Sequence, residues 1–161
     1  GVVNDIFTID FPQNITQVHF IKLRLFDTKG KEVANTFYWR SNDKYEGRKT
    51  LTGPTSSGFE DLSKLKQVQL KTRYQTYQEG DRHFIKAEIK NPSSTVAFFT
   101  QLQLLGQDKK PVRPSFYTDN FFSLLPGESK TVIIETAASD MPSEPTFVVK
   151  GWNIKPSSFK L

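Results

Sequence analysis

The 161-residue sequence contains no cysteine and only two histidines. A chain without cysteine forms no disulfide bond and no thiolate metal site, although this absence does not determine the cellular compartment. His19 and His83 each stand alone in an alternating segment, far from any partner at metal-ligand spacing. The sequence therefore predicts no metal centre, and no motif in it indicates a cofactor.

Long hydrophobic runs are also missing. No stretch of about 18 apolar residues occurs, so the sequence predicts no membrane-spanning helix. Residues 1–11, GVVNDIFTIDF, lack the basic start and the long apolar stretch of a signal peptide. Their pattern is that of a strand already begun, which indicates that the sequence is a piece of a larger chain.

Charge of one sign is not concentrated in any segment. The chain has 22 basic and 17 acidic residues, for a net charge of +5. Proteins that bind nucleic acids usually gather their basic residues on one face or one helix, whereas these lysines alternate with apolar and acidic residues. We therefore predict no nucleic-acid partner and interpret the charges as solvated faces.

The signatures of common catalytic sites are absent as well. The sequence has no G-x-S-x-G nucleophile motif and no glycine-rich phosphate loop after a strand. Glycosidases need two carboxylates at a fixed separation, but no local spacing selects such a pair here. Most of the candidate carboxylates fall at turns or on polar faces. The candidates are Glu46, Glu60, Asp61, Glu79, Glu88, Asp119, Glu128, Glu135 and Glu144. We predict no catalytic residue in this chain.

Alternation of apolar and polar residues dominates the sequence instead. In residues 20–27, 67–74 and 83–91, apolar side chains at every second position oppose charged or polar ones. This period of two is typical of strands with one buried and one solvated face. Turn signals interrupt the pattern at residues 27–30, 79–81, 91–94 and 126–128. The sequence predicts an all-β protein with an immunoglobulin-like antiparallel β-sandwich.

The distribution of predicted strands divides the chain in two. Residues 65–161 carry seven, the full complement of an immunoglobulin-like sandwich. Their predicted ranges are 67–77, 82–90, 95–105, 112–117, 120–125, 129–136 and 146–155. Residues 1–64 carry only three, at 4–11, 16–27 and 31–40, followed by a polar linker at 41–58 and a helical turn or two within 59–66. Because three strands bury little apolar surface, residues 1–64 either pack on the second domain or are part of a larger domain.

The residues around the Pro126–Gly127 break could be mistaken for the display of a catalytic acid. Proline presets the first central position of a β-turn, and glycine supplies the positive φ that a type II turn needs at the second. Glu128 then follows at the turn exit, where we expect its carboxylate to be solvated. The segment is interpreted as a corner between two strands.

Aromatic residues could bind a ligand, because flat rings stack on sugar faces. In residues 36–40, TFYWR, adjacent rings must face opposite sides of a strand, and residues 115–122, SFYTDNFF, repeat the arrangement. The candidates for a sugar platform or a domain interface are Tyr38, Trp39, Tyr117 and Trp152. We expect Trp152 to pack in the core or against the neighbouring sandwich, because its strand also carries Val148 and Val149.

Four motifs occur in a recognisable order along the chain: NTFYW at 35–39, DLSKL at 61–65, DNFFSLLPGE at 119–128 and GWN at 151–153. With their flanking residues they span nearly the whole sequence. In these motifs the chain resembles the C-terminal immunoglobulin-like domains of family 2 glycoside hydrolases, in the β-mannosidase and exo-β-glucosaminidase branch.

The resemblance implies an accessory role without catalysis. Both catalytic glutamates of such enzymes belong to a TIM barrel N-terminal to these sandwiches, and this chain has no counterpart of it. Residues 1–64 would be a partial penultimate sandwich plus linker, and residues 65–161 the complete C-terminal one. The parent would be a retaining hydrolase of β-mannosides, β-glucosaminides or β-galactosides, and its barrel and other domains would be the partners of this chain. The family also implies a periplasmic or secreted location.

Two other functions are compatible with the residues alone. The first is a carbohydrate-binding module that stacks a glycan on exposed aromatic residues. The second is a protein-interaction or adhesion sandwich unrelated to hydrolysis, since this fold supports many functions.

Overall fold

The computed structural model describes residues 6–42 and 58–161. The chain divides into two compact units, residues 1–64 and residues 65–161. The described residues are organised by strands and two short 3₁₀ turns, at Glu60–Lys64 and Ala138–Asp140. The strands are β1 (Val18–Phe26), β2 (Glu32–Ser41), β3 (Lys71–Glu79), β4 (Arg82–Lys90), β5 (Ala97–Leu105), β6 (Phe116–Tyr117), β7 (Phe122–Leu124), β8 (Ser129–Ala137), β9 (Thr146–Gly151) and β10 (Ile154–Lys160). The all-β prediction is confirmed, and no helix in this part of the chain is long and apolar enough to cross a membrane.

The first unit contains an antiparallel hairpin of β1 and β2. Its turn is the one predicted at 27–30, where Asp27 Oδ1 accepts hydrogen bonds from the backbone N–H groups of Lys29 and Lys31 at 2.9 Å each. Gly30 adopts a φ of 77°, which few other residues tolerate. The predicted strand at 4–11 is wrong for residues 6–11, which are not extended into a sheet. Residues 1–5 and 43–57, including most of the predicted linker, lie outside the described residues.

Neither face of this hairpin forms the buried core that its alternation suggests. Leu25 is 61% exposed, and Leu23 lies at the surface with it. A two-stranded ribbon has no second layer to cover its apolar face, so the alternation here predicts the strand but not its burial.

The second unit is a sandwich of two four-stranded sheets. One sheet has the order β3-β4-β8-β6 and the other β10-β9-β5-β7, with antiparallel pairing throughout. One hydrophobic core joins them, with Ile85, Ala87 and Ile89 of β4 facing Leu102 and Leu104 of β5 among its buried members. These are the inward positions that the alternation of residues 83–91 predicts. The immunoglobulin-like fold is therefore confirmed for this unit.

Two parts of the strand prediction need correction. The predicted strands at 112–117 and 120–125 shrink to the short β6 and β7. The predicted strand at 146–155 is two strands, because the chain reverses between Gly151 and Ile154. The reversal is fixed by distant backbone, since Trp152 N–H donates to Phe98 O at 3.0 Å. Gly151 and Asn153 are the local signs of this reversal in the sequence, and the strand prediction did not use them.

Candidate functional site: an exposed aromatic cluster

The four aromatic residues selected from the sequence do not form one site. Tyr38 and Trp39 lie on β2 in the first unit, next to each other and on opposite faces of the strand, and both are exposed. Tyr117 and Trp152 belong to the second unit, where Tyr117 is half-buried on β6 and Trp152 occupies the turn before β10. Each has different surroundings.

Tyr117 packs and forms a hydrogen bond within its own sandwich. Its ring packs against the hydrophobic core, and its hydroxyl accepts a hydrogen bond from the backbone N–H of Leu104 at 3.0 Å. Burial raises the pKa of Tyr117 above its ordinary value of 10.0, while the hydrogen bond from Leu104 acts in the opposite direction. The hydroxyl thus links β6 of one sheet to β5 of the other.

Replacing Tyr117 by phenylalanine should lower the free energy of unfolding by about 1–2 kcal/mol, because the Leu104 N–H loses its acceptor. The raised pKa adds a pH signature. Burial favours the neutral phenol. The contribution of Tyr117 to the free energy of unfolding is therefore complete below pH 10 and is lost as the pH rises from the pKa of the unfolded state to that of the folded state. Denaturant unfolding of the chain and its Y117F variant from pH 8 to 11 checks this. The stability gap should narrow at alkaline pH, and a gap independent of pH would contradict the assignment.

Trp152 is not a core residue, which removes one of the two alternatives predicted for it. Its side chain is 59% exposed, whereas Val149 on the adjoining strand is buried. The core alternative is wrong because Trp152 belongs to the turn and not to a continuous strand, whereas packing against a neighbouring sandwich stays a prediction. The ring stands edge-on to Phe98, with the ring centroids 6.5 Å apart at 68°.

Trp152 is one member of a group of four rings, which we call the aromatic cluster: Phe98, Phe99, Phe121 and Trp152. Phe98 is buried and contacts the ring of Phe99 at 5.7 Å and 48°. Phe99 in turn contacts Phe121 at 5.4 Å and 49°. Three of the four rings are on the surface, with exposures of 59% for Trp152, 49% for Phe121 and 39% for Phe99.

The backbone beneath the aromatic cluster is strained at two points. Phe99 and Phe121 have φ angles of 57° and 58°, a region that bulky residues rarely adopt. Such a conformation costs about 1–3 kcal/mol per residue and persists only where the surroundings enforce it. At Phe99 the strain accompanies a shift in the register of β5 against β7, between Ala97 and Thr100.

Two asparagine side chains hold these backbone conformations. Asn153 is buried; its Oδ1 accepts from Phe98 N–H at 2.8 Å, and its Nδ2 donates to the carbonyls of Val96 at 2.8 Å and Lys66 at 2.9 Å. Asn120 Oδ1 accepts from the N–H groups of Leu102 and Phe121, and its Nδ2 donates to Leu102 O. Both amides therefore position the segments that carry the rings.

Gly151 permits the close approach of the turn to β5. A β-carbon at this position would lie 2.9 Å from Phe99 O and 3.1 Å from Phe98 O. Separations this short would force the backbone of β5 or of the turn to move. The GWN motif thus combines a glycine for contact, an exposed ring and a buried anchor.

Glu128 belongs to a turn, as the sequence predicts. Gly127 has a φ of 82°, and Glu128 N–H donates to Leu125 O at 3.1 Å, which closes the turn. The carboxylate is not simply solvated, however. The side chain is half-buried, and its Oε2 accepts a hydrogen bond from Leu125 N–H at 2.9 Å.

Metal-binding geometry is not found in the described ranges 6–42 and 58–161, which hold no group of three or more His, Asp or Glu side chains suited to an ion. His19 is buried in the first unit against the ring of Phe11. His83 is half-buried on β4 of the second unit.

Sequence reasoning missed Phe99, the central ring of the exposed aromatic cluster. One signal was available, since adjacent Phe98 and Phe99 on an alternating strand cannot both face the core. The sequence near Phe99 contains no signal for its positive φ. It also gives no signal for the contact with Phe121, 22 positions later in the chain.

Comparison with protein families decides the relationship. The model of the exo-β-D-glucosaminidase Ig-fold domain matches residues 50–154. This chain belongs to that family. The turn carrying Glu128 and the Trp152 turn both fall within the matched residues, so the exposed aromatic cluster is part of this Ig-fold domain.

Two exo-β-D-glucosaminidases are similar to the chain in sequence. The protein from Streptomyces avermitilis is 30% identical over 149 residues, which cover 86% of this chain and 16% of that protein. The protein from Amycolatopsis orientalis is 27% identical over 157 residues, covering 91% of this chain and 15% of that protein. The chain thus spans less than a fifth of the length of these relatives.

Solved structures agree on the fold of the Ig-fold domain. The crystal structure of the Amycolatopsis orientalis exo-chitosanase CsxA matches with a TM-score of 0.78 and 24% identity, covering 92% of this chain and 19% of that one. A complex of a CsxA variant with PNP-β-D-glucosamine gives a TM-score of 0.80 and covers 96% of this chain and 19% of that one, again at 24% identity. The resemblance to family 2 glycosidases is confirmed, in its glucosaminidase branch.

Proposed function

We propose that this chain is a non-catalytic β-sandwich region of an exo-β-D-glucosaminidase, in which it supports a catalytic barrel. The observation that carries the proposal is the match of the Ig-fold domain model over residues 50–154. The residue best displayed for acid catalysis, Glu128, instead uses its carboxylate to close a turn. A retaining glycosidase needs two facing carboxylates, which the parent chain would supply from its barrel.

The glucosaminidase assignment is narrower than the sequence alone allowed. The names of both curated relatives support a β-D-glucosaminide as the substrate of the parent. The β-mannosidase alternative draws no support from them. A periplasmic or secreted location also remains part of the proposal, as the family implies it.

We further propose that residues 1–64 are part of a second sandwich. The exposed apolar side chains of the β1–β2 hairpin support this, since Leu25 and Val33 lie on a ribbon that lacks a covering layer among residues 6–42. Further strands from the parent chain would cover them.

Hydrolysis by the intact parent protein tests the proposed function. The parent should release p-nitrophenol from p-nitrophenyl β-D-glucosaminide much faster than from the matching β-mannoside or β-galactoside. A preference for either of the other two sugars, or no hydrolysis at all, would contradict the assignment.

Replacing Glu128 by glutamine in the parent should leave kcat unchanged, because this carboxylate takes no part in the reaction, and should keep the stability, because the amide oxygen still accepts from Leu125 N–H. Replacing it by alanine should leave kcat unchanged too, but lower the stability by about 1 kcal/mol through the lost acceptor. Steady-state kinetics on the glucosaminide, together with thermal unfolding, measures both effects. If Glu128 were a catalytic acid, either variant would lose about 100-fold or more in kcat.

A further inference from the structure

The backbone that carries the exposed aromatic cluster is held in specific conformations, which a chance surface patch would not need. Two of its rings, Phe99 and Phe121, stand on positive-φ backbone, and the third exposed ring, Trp152, projects from a turn fixed by a glycine and a buried asparagine. Ring contacts with centroid distances of 5.4 to 6.5 Å connect Phe121 to Phe99 directly, and Phe99 to Trp152 through the buried ring of Phe98. Backbone strain of this kind persists at sites that hold a ligand or a partner.

The chemistry of this surface favours a protein over a sugar. A sugar site needs polar groups that reach the hydroxyls of the ligand. The side chains directly beneath the rings instead bond to the backbone: Asn153 and Asn120 through both ends of their amides, and Ser123 Oγ by accepting from Phe99 N–H at 3.2 Å. The aromatic rings, and not polar side chains, would therefore contact a partner at this surface.

The orientation of the rings points the same way. Neighbouring members of the aromatic cluster are inclined by 48° to 68°. Phe99 and Phe121, the two exposed rings in direct contact, are inclined by 49°, so they do not form one flat platform on which a sugar face could stack.

The length of the relatives leaves room in the parent chain for a domain that docks on this surface. The chain covers only 16% and 15% of the two exo-β-D-glucosaminidases it matches, so most of a parent of that size lies outside it. Aromatic rings dominate the energetics of buried contacts, and an exposed apolar patch marks an interaction surface.

We propose that the aromatic cluster docks the terminal sandwich onto an apolar face of another domain of the parent chain. This inference rests on the proposed function, because it requires a multidomain parent. Phe99, Phe121 and Trp152 make this contact, and the strained backbone holds two of these rings, Phe99 and Phe121, in position for it.

Hydroxyl-radical footprinting of the intact parent protein tests the docking. Phe116 is the internal reference, because it is 56% exposed in the same unit and lies outside the aromatic cluster. With each rate divided by that of the urea-unfolded parent, Trp152 and Phe121 should be oxidised several-fold more slowly than Phe116. Oxidation of Trp152 and Phe121 at rates equal to or above that of Phe116 would overturn the proposal.

Variants of the parent provide a second measurement. The double variant Phe121→Ala/Trp152→Ala removes two exposed rings and keeps the asparagine anchors, and Phe116→Ala is the matched control. The double variant should separate the unfolding of the terminal sandwich from that of the remaining domains and expose it to limited proteolysis, while the control behaves as wild type. Identical unfolding and proteolysis of the double variant and the control would overturn the proposal.

The remaining outcomes separate the alternatives. If glucosamine oligomers protect Trp152 from oxidation while the oligomer-free parent does not, the surface binds glycan and the docking proposal fails. If the wild-type parent does not hydrolyse p-nitrophenyl β-D-glucosaminide but footprinting shows protection, the proposed function fails and the docking of the aromatic cluster stands.

Discussion

Replacing Asn153 by alanine is expected to lower the free energy of unfolding of the terminal unit by about 3–5 kcal/mol. The buried amide makes three hydrogen bonds, to Phe98 N–H and to the carbonyls of Val96 and Lys66. Alanine would leave these three backbone groups without their partner. It would also loosen the turn that presents Trp152, because the bond from Phe98 N–H to Asn153 Oδ1 is one of two that tie this turn to β5, the other being Trp152 N–H to Phe98 O.

Urea unfolding of the chain, followed by circular dichroism, measures this effect. Gln75→Ala is the control, since Gln75 lies on the exposed face of β3 and its loss should change the stability by less than about 0.5 kcal/mol. A loss of under about 1 kcal/mol for Asn153→Ala would show that the three hydrogen bonds do not hold the turn.

Replacing Phe147 by alanine should cost about 3–5 kcal/mol, because it removes a fully buried ring from the centre of the sandwich. Phe147 is 0% exposed and contacts the ring of Tyr74 at 6.1 Å and the ring of Phe159 at 5.8 Å. These contacts join β9 to β3 of the opposite sheet and to β10. The cavity would lie within the hydrophobic core, where a water molecule would find no hydrogen-bond partners.

The same urea titration with Phe116→Ala provides the comparison, since that ring is on the surface of the same unit. We expect Phe147→Ala to be the more destabilising of the two by several kcal/mol. Equal effects would mean that the buried core of the second unit does not dominate its stability.

The sequence predicts the sandwich well where burial follows a local period. In β4 the residues at 85, 87 and 89 are buried and those between them are exposed, because side chains on a strand alternate between faces. The turn at Leu125–Glu128 is predictable for a similar reason, since Pro126 and Gly127 encode its dihedral angles locally.

The candidate site is less predictable because non-local hydrogen bonds create it. Asn153 and Phe98 are 55 positions apart, and Asn120 and Leu102 are 18 apart. Gly151 and Asn153 beside Trp152 are turn-forming residue types, but the contacts with the distant strand β5 that fix the turn and expose the ring are not visible in the local sequence. The positive φ of Phe99 also accompanies non-local features, namely the hydrogen bond from Phe99 N–H to Ser123 Oγ and the register shift of β5 against β7.

Burial in the first unit could not be predicted from its strands alone. The β1–β2 hairpin forms around the predicted turn, yet Leu23 and Leu25 on one of its faces remain exposed. An alternating strand states which face is apolar, but the layer that covers this face must come from other strands. Under the proposal that residues 1–64 are part of a second sandwich, the parent chain supplies these strands.

The most direct test of the claim that this region supports catalysis without performing it is the activity of the parent carrying Phe147→Leu. This milder change should cost about 1 kcal/mol, and so lower the unfolding midpoint of the terminal sandwich by about 4–8 °C. We predict a wild-type kcat on p-nitrophenyl β-D-glucosaminide at temperatures where the sandwich is folded, and a loss of activity that follows its unfolding. A reduced kcat with the sandwich still folded, or full activity after it has unfolded, would contradict the account.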